Sequence, residues 1–219
     1  MNGTKFHVEG IVFDLDGTIV DSKEAYRQAA AEAFSMFGKK LLNQRVALEI
    51  PRRFELERSL NDLTQGIDVE DFCRVYLKAY YAATATKSVP FPQVHDTLEL
   101  LSSKAKLGLT TRRHVSNRDV VCQLEKLGLA GFFSAVVTGI ETERPKPSPQ
   151  SILKCAREMG VNLLKCIAVG DSTIDIKAGK NAGTKTVAVL SGIFSRDELQ
   201  SAGPDLILEN VTKLPHFLI

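Results

Sequence analysis

The sequence predicts an α/β protein, a doubly wound parallel sheet interrupted by an all-helical insertion. Three observations predict it. Over residues 89–219, short apolar runs alternate with helical stripes, the pattern of a parallel sheet with helices on both faces. One further apolar run, Gly10-Ile11-Val12-Phe13, stands apart near the start, ahead of a long stretch with no convincing strand. The length, 219 residues, exceeds one typical domain and falls short of two, which is what a single sheet domain carrying an insertion requires.

The elements follow in order. Gly10–Phe13 ends abruptly in Asp14-Leu15-Asp16-Gly17-Thr18, so it reads as a strand buried on both faces and closed by a turn. After Ser22, Tyr26, Ala30, Ala33 and Phe37 form a helical stripe, and Phe72, Val75, Ala79 and Ala83 mark another. Residues 21–88 therefore read as one helical domain. It closes at Val89-Pro90-Phe91-Pro92, a stiff connection that marks a boundary, so residues 1–20 and 89–219 form the sheet domain. There, Val94, Leu98, Leu101 and Ala105 predict a helix, and Leu107–Thr110 a strand. A helix through Val120, Leu124 and Leu127 follows, with Ser116 and Asp119 placed for a capping box. Ala135–Thr138 is the next strand. The helix through Ile152, Ala156 and Met159 is expected to start with Ser148 as cap and Pro149 at its first position. Cys166–Val169, a helix over Thr173–Asn181, and strands at Thr186–Leu190 and Leu206–Leu208 complete the pattern.

Composition narrows the function. With 44% hydrophobic and 25% charged residues the chain is globular rather than disordered or low-complexity. Lys plus Arg total 28 against 26 Asp plus Glu, a net charge of +2, which argues against a dedicated nucleic-acid or membrane-surface binder. No apolar run approaches the ~18 residues of a membrane span, and Met1 to Lys5 lacks a signal-peptide core. Cys73, Cys122, Cys155 and Cys166 are dispersed, so they read as reduced, mostly buried thiols of a cytoplasmic protein. A monomer is the default, since no coiled-coil seam is evident.

In an open parallel sheet, functional groups gather beyond the carboxyl ends of the strands. Asp14 and Asp16 end the first strand and Thr110 and Thr111 the second. Asp171 and Asp175 follow Val169-Gly170, and Lys146 lies in the loop after the Val136 strand. Clustered carboxylates do not all stay ionised without a cation, and hard oxygen ligands suit Mg²⁺. A carboxylate beside such an ion can act as a nucleophile and take a phosphoryl group as an aspartyl-phosphate. A second carboxyl group two residues on, when protonated, donates to the leaving alkoxide and then takes a proton from the attacking water. Lys146, Thr111 and N–H groups at helix starts would neutralise the phosphoryl oxygens. The pattern suits phosphoryl transfer.

The same segments resemble a known family. Asp14-Leu15-Asp16-Gly17-Thr18 resembles the DxDGT motif of the haloacid dehalogenase superfamily of phosphatases. Leu107-Gly108-Leu109-Thr110-Thr111 is similar to its second motif, Lys146-Pro147-Ser148-Pro149 to its third, and Val169-Gly170-Asp171-Ser172-Thr173-Ile174-Asp175 to its fourth, GDxxxD. The resemblance implies a Rossmann-like core, Asp14 as nucleophile and Asp16 as general acid/base. It implies Mg²⁺ held by Asp14, the Asp16 backbone carbonyl and Asp171, with Asp175 in support, and phosphate bound by Thr111 and Lys146. Where the family usually has Asn after the second-motif Thr, this chain has Arg112, which either adds a guanidinium to the site or serves as surface. The insertion at residues 21–88 occupies the place of the family's helical cap, as in phosphoglycolate phosphatase-like and β-phosphoglucomutase-like members. Hinges are expected at about Thr18 to Ser22 and Ser88 to Phe91.

The expected activity is hydrolysis of a small phosphorylated metabolite, phosphoglycolate-like. The alternatives are a phosphotransferase of the β-phosphoglucomutase type and a non-enzymatic phospho-aspartate receiver. The insertion and Asp16 speak against the receiver, which needs neither lid nor leaving-group acid. Arg52 and Arg53 are candidates for meeting an anionic substrate, set against a solvated helix face. Arg112, Arg113, His114 and Arg118 form a basic cluster that serves either phosphate attraction or solubility. His7, His95, His114 and His216 share no metal-ligand spacing.

Overall fold

A computed structural model describes residues 5–219. The segment read as lacking a secretion signal therefore lies outside the described residues, except for Lys5. The chain divides into two compact units, one running to Val20 and resuming at Pro90–Ile219, the other Asp21–Val89.

The first unit is the sheet. Its opening strand, β1, is Gly10–Asp14. The chain leaves the unit through the short strand β2 (Val20–Asp21), runs through α1 (Lys23–Met36), α2 (Gln44–Glu55) and α3 (Val69–Lys87), and returns through β3 (Val89–Pro90). Then come α4 (Val94–Ser102), β4 (Lys106–Thr110), α5 (Asn117–Lys126), β5 (Phe133–Val137), α6 (Gln150–Met159) and β6 (Cys166–Gly170). There follow α7 (Thr173–Ala182), β7 (Lys185–Val189), α8 (Arg196–Ser201) and β8 (Leu206–Leu208), and after them a 3-10 helix over Val211–Phe217. Six strands form one parallel sheet in the order β5-β4-β1-β6-β7-β8.

Alternation along β1 explains why its run is apolar without interruption. Ile11 and Phe13 enter one core layer with Leu98, Leu101, Leu109 and Val120, while Val12 enters the other with Ile152, Cys155, Met159 and Ala178. Both faces are buried, so neither register of residues faces water. Strand β1 pairs with β4 on one side and β6 on the other. The chain winds outward from it in both directions, so the carboxyl end of β1 is the switch point where such sheets bind ligands.

The helical unit packs α1 against both α2 and α3. Ala25, Ala29 and Ala33 let the helices approach closely, and aromatic side chains fill the remaining space. Tyr26 stacks on Tyr80 with ring centroids 5.0 Å apart, and Phe34 meets Phe72 at 4.9 Å.

Several local expectations need correction. The α1 stripe closes on Phe34, not Phe37, because the helix stops at Met36 and Phe37 becomes its half-buried cap. Val75 is only half-buried; Tyr76 and Tyr80 carry that face of α3. Helix α6 begins one residue later than expected. Pro149 caps it and Ser148 accepts only a long bond, 3.4 Å, from the Gln150 N–H. All four cysteines are free, but Cys155 and Cys166 alone are buried; Cys73 is half-buried and Cys122 exposed. The capping box of Ser116 and Asp119 is present at α5.

Candidate functional site

The site is built at the carboxyl edge of the sheet. Asp14 is the last residue of β1 and lies in register with Thr110, the last residue of β4. Asp16 follows in the turn, where Gly17 adopts φ +86°, a conformation that favours glycine. A side chain there would also strike the carboxylate of Asp171, as would one at Gly192. Two glycines thus allow the loops after β1 and β7 to close on Asp171, which is buried and accepts a 3.1 Å bond from the Thr18 hydroxyl.

Asp175 has two roles set by one carboxylate. It is the third residue of α7, where its Oδ2 accepts from the N–H and hydroxyl of Ser172, completing a capping box. Its Oδ1 accepts from Lys146 Nζ at 2.8 Å, and the same ammonium donates to Asp14 Oδ1 at 2.8 Å and to the Thr110 carbonyl at 3.3 Å. Lys146 is only 3% exposed, so its charge would be untenable without those carboxylates. They hold it above the usual lysine range against the opposing effect of burial. For Asp14 the balance is reversed. Burial outweighs the attraction of Lys146, and with repulsion from Asp175 and Asp16 it pushes Asp14 up to about 7.

Asp14, Asp171 and Asp175 each offer a carboxylate oxygen, all within 4.8 Å of one another. Three hard carboxylate oxygens at the end of a rigid sheet, one of them on Asp14, whose pKa is raised first by burial and then by the charges of Asp175 and Asp16, fit a divalent cation. His95, Asp96 and Glu99 come within the same mutual reach on α4, but all three are exposed.

The second carboxylate of the first turn has a partner that sequence reading did not single out. Arg113 donates from Nε to Asp16 Oδ2 at 2.7 Å and from Nη2 to Oδ1 at 2.5 Å, and from Nη1 to Gln123 Oε1 at 2.5 Å. Thr111 is buried, and its hydroxyl accepts the Arg113 N–H at 3.2 Å, which sets the turn. Arg112 is half-buried and forms no side-chain ion pair among the described residues. Within the basic cluster, then, Arg113 is drawn inside while His114 and Arg118 stay exposed. An Arg-Arg pair after a strand gives no hint of which guanidinium turns inward.

Arg52 and Arg53 lie in the helical unit. Arg52 pairs with Glu49; Arg53 pairs with Glu49 and Asp62 and donates to the Ser59 carbonyl.

A parallel α/β sheet whose switch point presents three carboxylates and a buried lysine suits phosphoryl chemistry. Comparison with known proteins gives the family. Residues 11–189 match the haloacid dehalogenase-like hydrolases. The chain is 33% identical over 208 residues to phosphoglycolate phosphatase of Aquifex aeolicus, covering 93% of each. It is 31% identical to pyrophosphatase PpaX of Bacillus velezensis, covering 97% of each. A haloacid dehalogenase-like hydrolase of Streptococcus pneumoniae shares the fold at a TM-score of 0.78 and 22% identity, over 96% of this chain and 98% of that one. The chain belongs to the haloacid dehalogenase-like hydrolase family and is a phosphatase of that family. Among the described residues no helix is long and apolar enough to cross a membrane.

Proposed function

We propose that this phosphatase hydrolyses a small phosphomonoester, with a 2-phosphoglycolate-like substrate, through an aspartyl-phosphate on Asp14. The observation that carries the reading is the shared ammonium of Lys146, 2.8 Å from both Asp14 and Asp175. A buried cation between two carboxylates, beside a third, is where a dianionic phosphoryl group finds both a nucleophile and charge compensation.

In the first step an Asp14 carboxylate oxygen bonds to phosphorus as the bond to the leaving oxygen breaks, and Asp16 supplies that oxygen with a proton. In the second, water bonds to phosphorus, the Asp14–phosphorus bond breaks, and Asp16 recovers a proton from the water. Lys146 and Thr111 bind the phosphoryl oxygens, with Arg112 at the same turn. Asp14, the Asp16 backbone carbonyl and Asp171 would hold Mg²⁺, with Asp175 in support. When bound, the ion supplies Lewis-acid stabilisation of the phosphoryl charge and neutralises the carboxylates around it. We assign the helical segment, inserted between the Asp14 and Thr111 motifs, the part of a cap that selects the leaving group and excludes water. Four free thiols support a reducing, cytoplasmic setting.

The phosphoglycolate assignment is supported by the name of a 33%-identical relative, and PpaX at 31% makes inorganic pyrophosphate the competing substrate. Turnover of 2-phosphoglycolate, pyrophosphate, p-nitrophenyl phosphate and β-glucose 1-phosphate with Mg²⁺ decides among them. The expected result is the highest kcat/KM for 2-phosphoglycolate and no turnover by Asp14→Asn. Full activity of Asp14→Asn would overturn the mechanism, and preference for pyrophosphate would overturn the substrate.

A further inference from the structure

We infer that Arg113 is a positioning residue for Asp16, and that it acts chiefly in the second half-reaction, breakdown of the phosphorylated enzyme. The inference rests on the reading of Asp16 as the acid/base given above.

The geometry is that of a fork. Nε and Nη2 of Arg113 each take one oxygen of Asp16, at 2.7 and 2.5 Å, which fixes the plane of the carboxylate as well as its distance. The fork is itself fixed. Nη1 donates to Gln123 on α5, and the Arg113 N–H donates to Thr111. Arg113 is 5% exposed and Gln123 9%, so the arrangement sits in the wall of the sheet domain and not on its surface. A buried Arg–carboxylate pair is a poor way to gain stability alone, because desolvation of both ions offsets most of their attraction. It is an effective way to hold a short, otherwise rotatable side chain in one orientation.

The identity of the partner determines which step benefits. A guanidinium fork binds the carboxylate through both oxygens as acceptors and leaves further lone pairs outside the fork. It presents Asp16 as a proton acceptor, the role played toward water when the Asp14–phosphorus bond breaks. In the opposite half-reaction Asp16 delivers a proton to the leaving oxygen, which a good leaving group does not need.

Stopped-flow release of p-nitrophenol from p-nitrophenyl phosphate separates the steps. For Arg113→Ala we expect steady-state turnover to fall on the order of 10²-fold. A pre-steady-state burst approaching one p-nitrophenol per active site should appear as the phosphorylated enzyme accumulates. Asp16→Asn should behave alike, and the double variant should lose no more than Asp16→Asn alone. Arg113→Lys, which keeps the charge but not the fork, should recover only part of the loss. Should Arg113→Ala fold poorly, Gln123→Ala removes only the outer support and should give a smaller burst of the same kind. Equal slowing of burst and steady state, or multiplicative losses in the double variant, would overturn the inference. Wild-type turnover by Asp16→Asn would instead overturn the underlying assignment of Asp16, and impaired Asp16→Asn beside unimpaired Arg113→Ala would overturn the inference alone.

Discussion

The ammonium of Lys146 lies 2.8 Å from the Asp14 carboxylate, although 132 residues separate the two in the chain. The contact joins the end of β1 to the loop before α6, and Asp175 at the start of α7 completes it from a third segment. Lys146 therefore welds the sheet edge together as well as balancing its charge.

Removing that cation leaves two carboxylates facing each other in a buried setting. Lys146→Met is expected to destabilise the metal-free protein by about 3–5 kcal/mol at pH 8. Urea unfolding in EDTA measures the loss, and added Mg²⁺ should restore part of it. An unchanged midpoint in EDTA would contradict this account of Lys146.

The pKa of Asp14 gives a pH dependence with a definite sign. Raised to about 7 in the fold, against an ordinary unfolded value of ~3.9, the group binds more protons folded than unfolded between those values. Its contribution to stability in EDTA is therefore fully present below about pH 4 and is lost as pH rises through about 7. Asp14→Asn should remove this slope, raising Tm relative to the parent at pH 8 but not at pH 4. Parallel Tm–pH curves for the two proteins in EDTA would refute it.

Gly192 and Asp171 cannot both keep their places if a methyl group is added. Gly192→Ala is expected to push the Asp171 carboxylate aside and weaken the apparent Mg²⁺ affinity about 10- to 100-fold. Activity titrated against Mg²⁺ concentration reads this directly, with far-UV circular dichroism unchanged. A wild-type activation curve would mean that Asp171 does not serve the ion.

Arg53 has its donors committed to Glu49, Ser59 and Asp62 inside the helical unit. Arg53→Met is accordingly expected to lower Tm while shifting KM for the best substrate by less than about twofold, as befits a structural cation. A tenfold rise in KM at unchanged Tm would make it a substrate ligand instead.

The packed aromatics of that unit allow a check on its core. Phe72 is fully buried between Phe34 and Tyr76, so Phe72→Ala should cost about 3–5 kcal/mol in urea unfolding. A loss below about 1 kcal/mol would show that the cluster tolerates a cavity.

Much of this was legible in the sequence because its signals are local. A buried parallel strand announces itself by an unbroken apolar run, and Gly10–Phe13, Leu107–Thr110 and Cys166–Val169 all lie within strands of the sheet. Helical periodicity marked α1 and α3, and it erred where a helix end moved the stripe, as at Phe34 and Phe37, and where a neighbouring aromatic took the buried face, as Tyr76 does beside Val75. The spacing of Asp14, Asp16, Asp171 and Asp175 relative to strand ends placed them on one edge, since the carboxyl ends of parallel strands all lie along the same side of the sheet.

The sequence by itself determined the fold class, the helical insertion and the set of charged groups at the sheet edge, because these follow from periodicity and motif spacing. Only the tertiary structure decided which charges meet. It drew Arg113 rather than Arg112 onto Asp16, gave Lys146 to Asp14 and Asp175 together, and tied Arg53 to Asp62. The physical reason is that ion pairing depends on side-chain direction and burial across segments far apart in the chain. Local pattern does not encode either quantity; the packed sheet does.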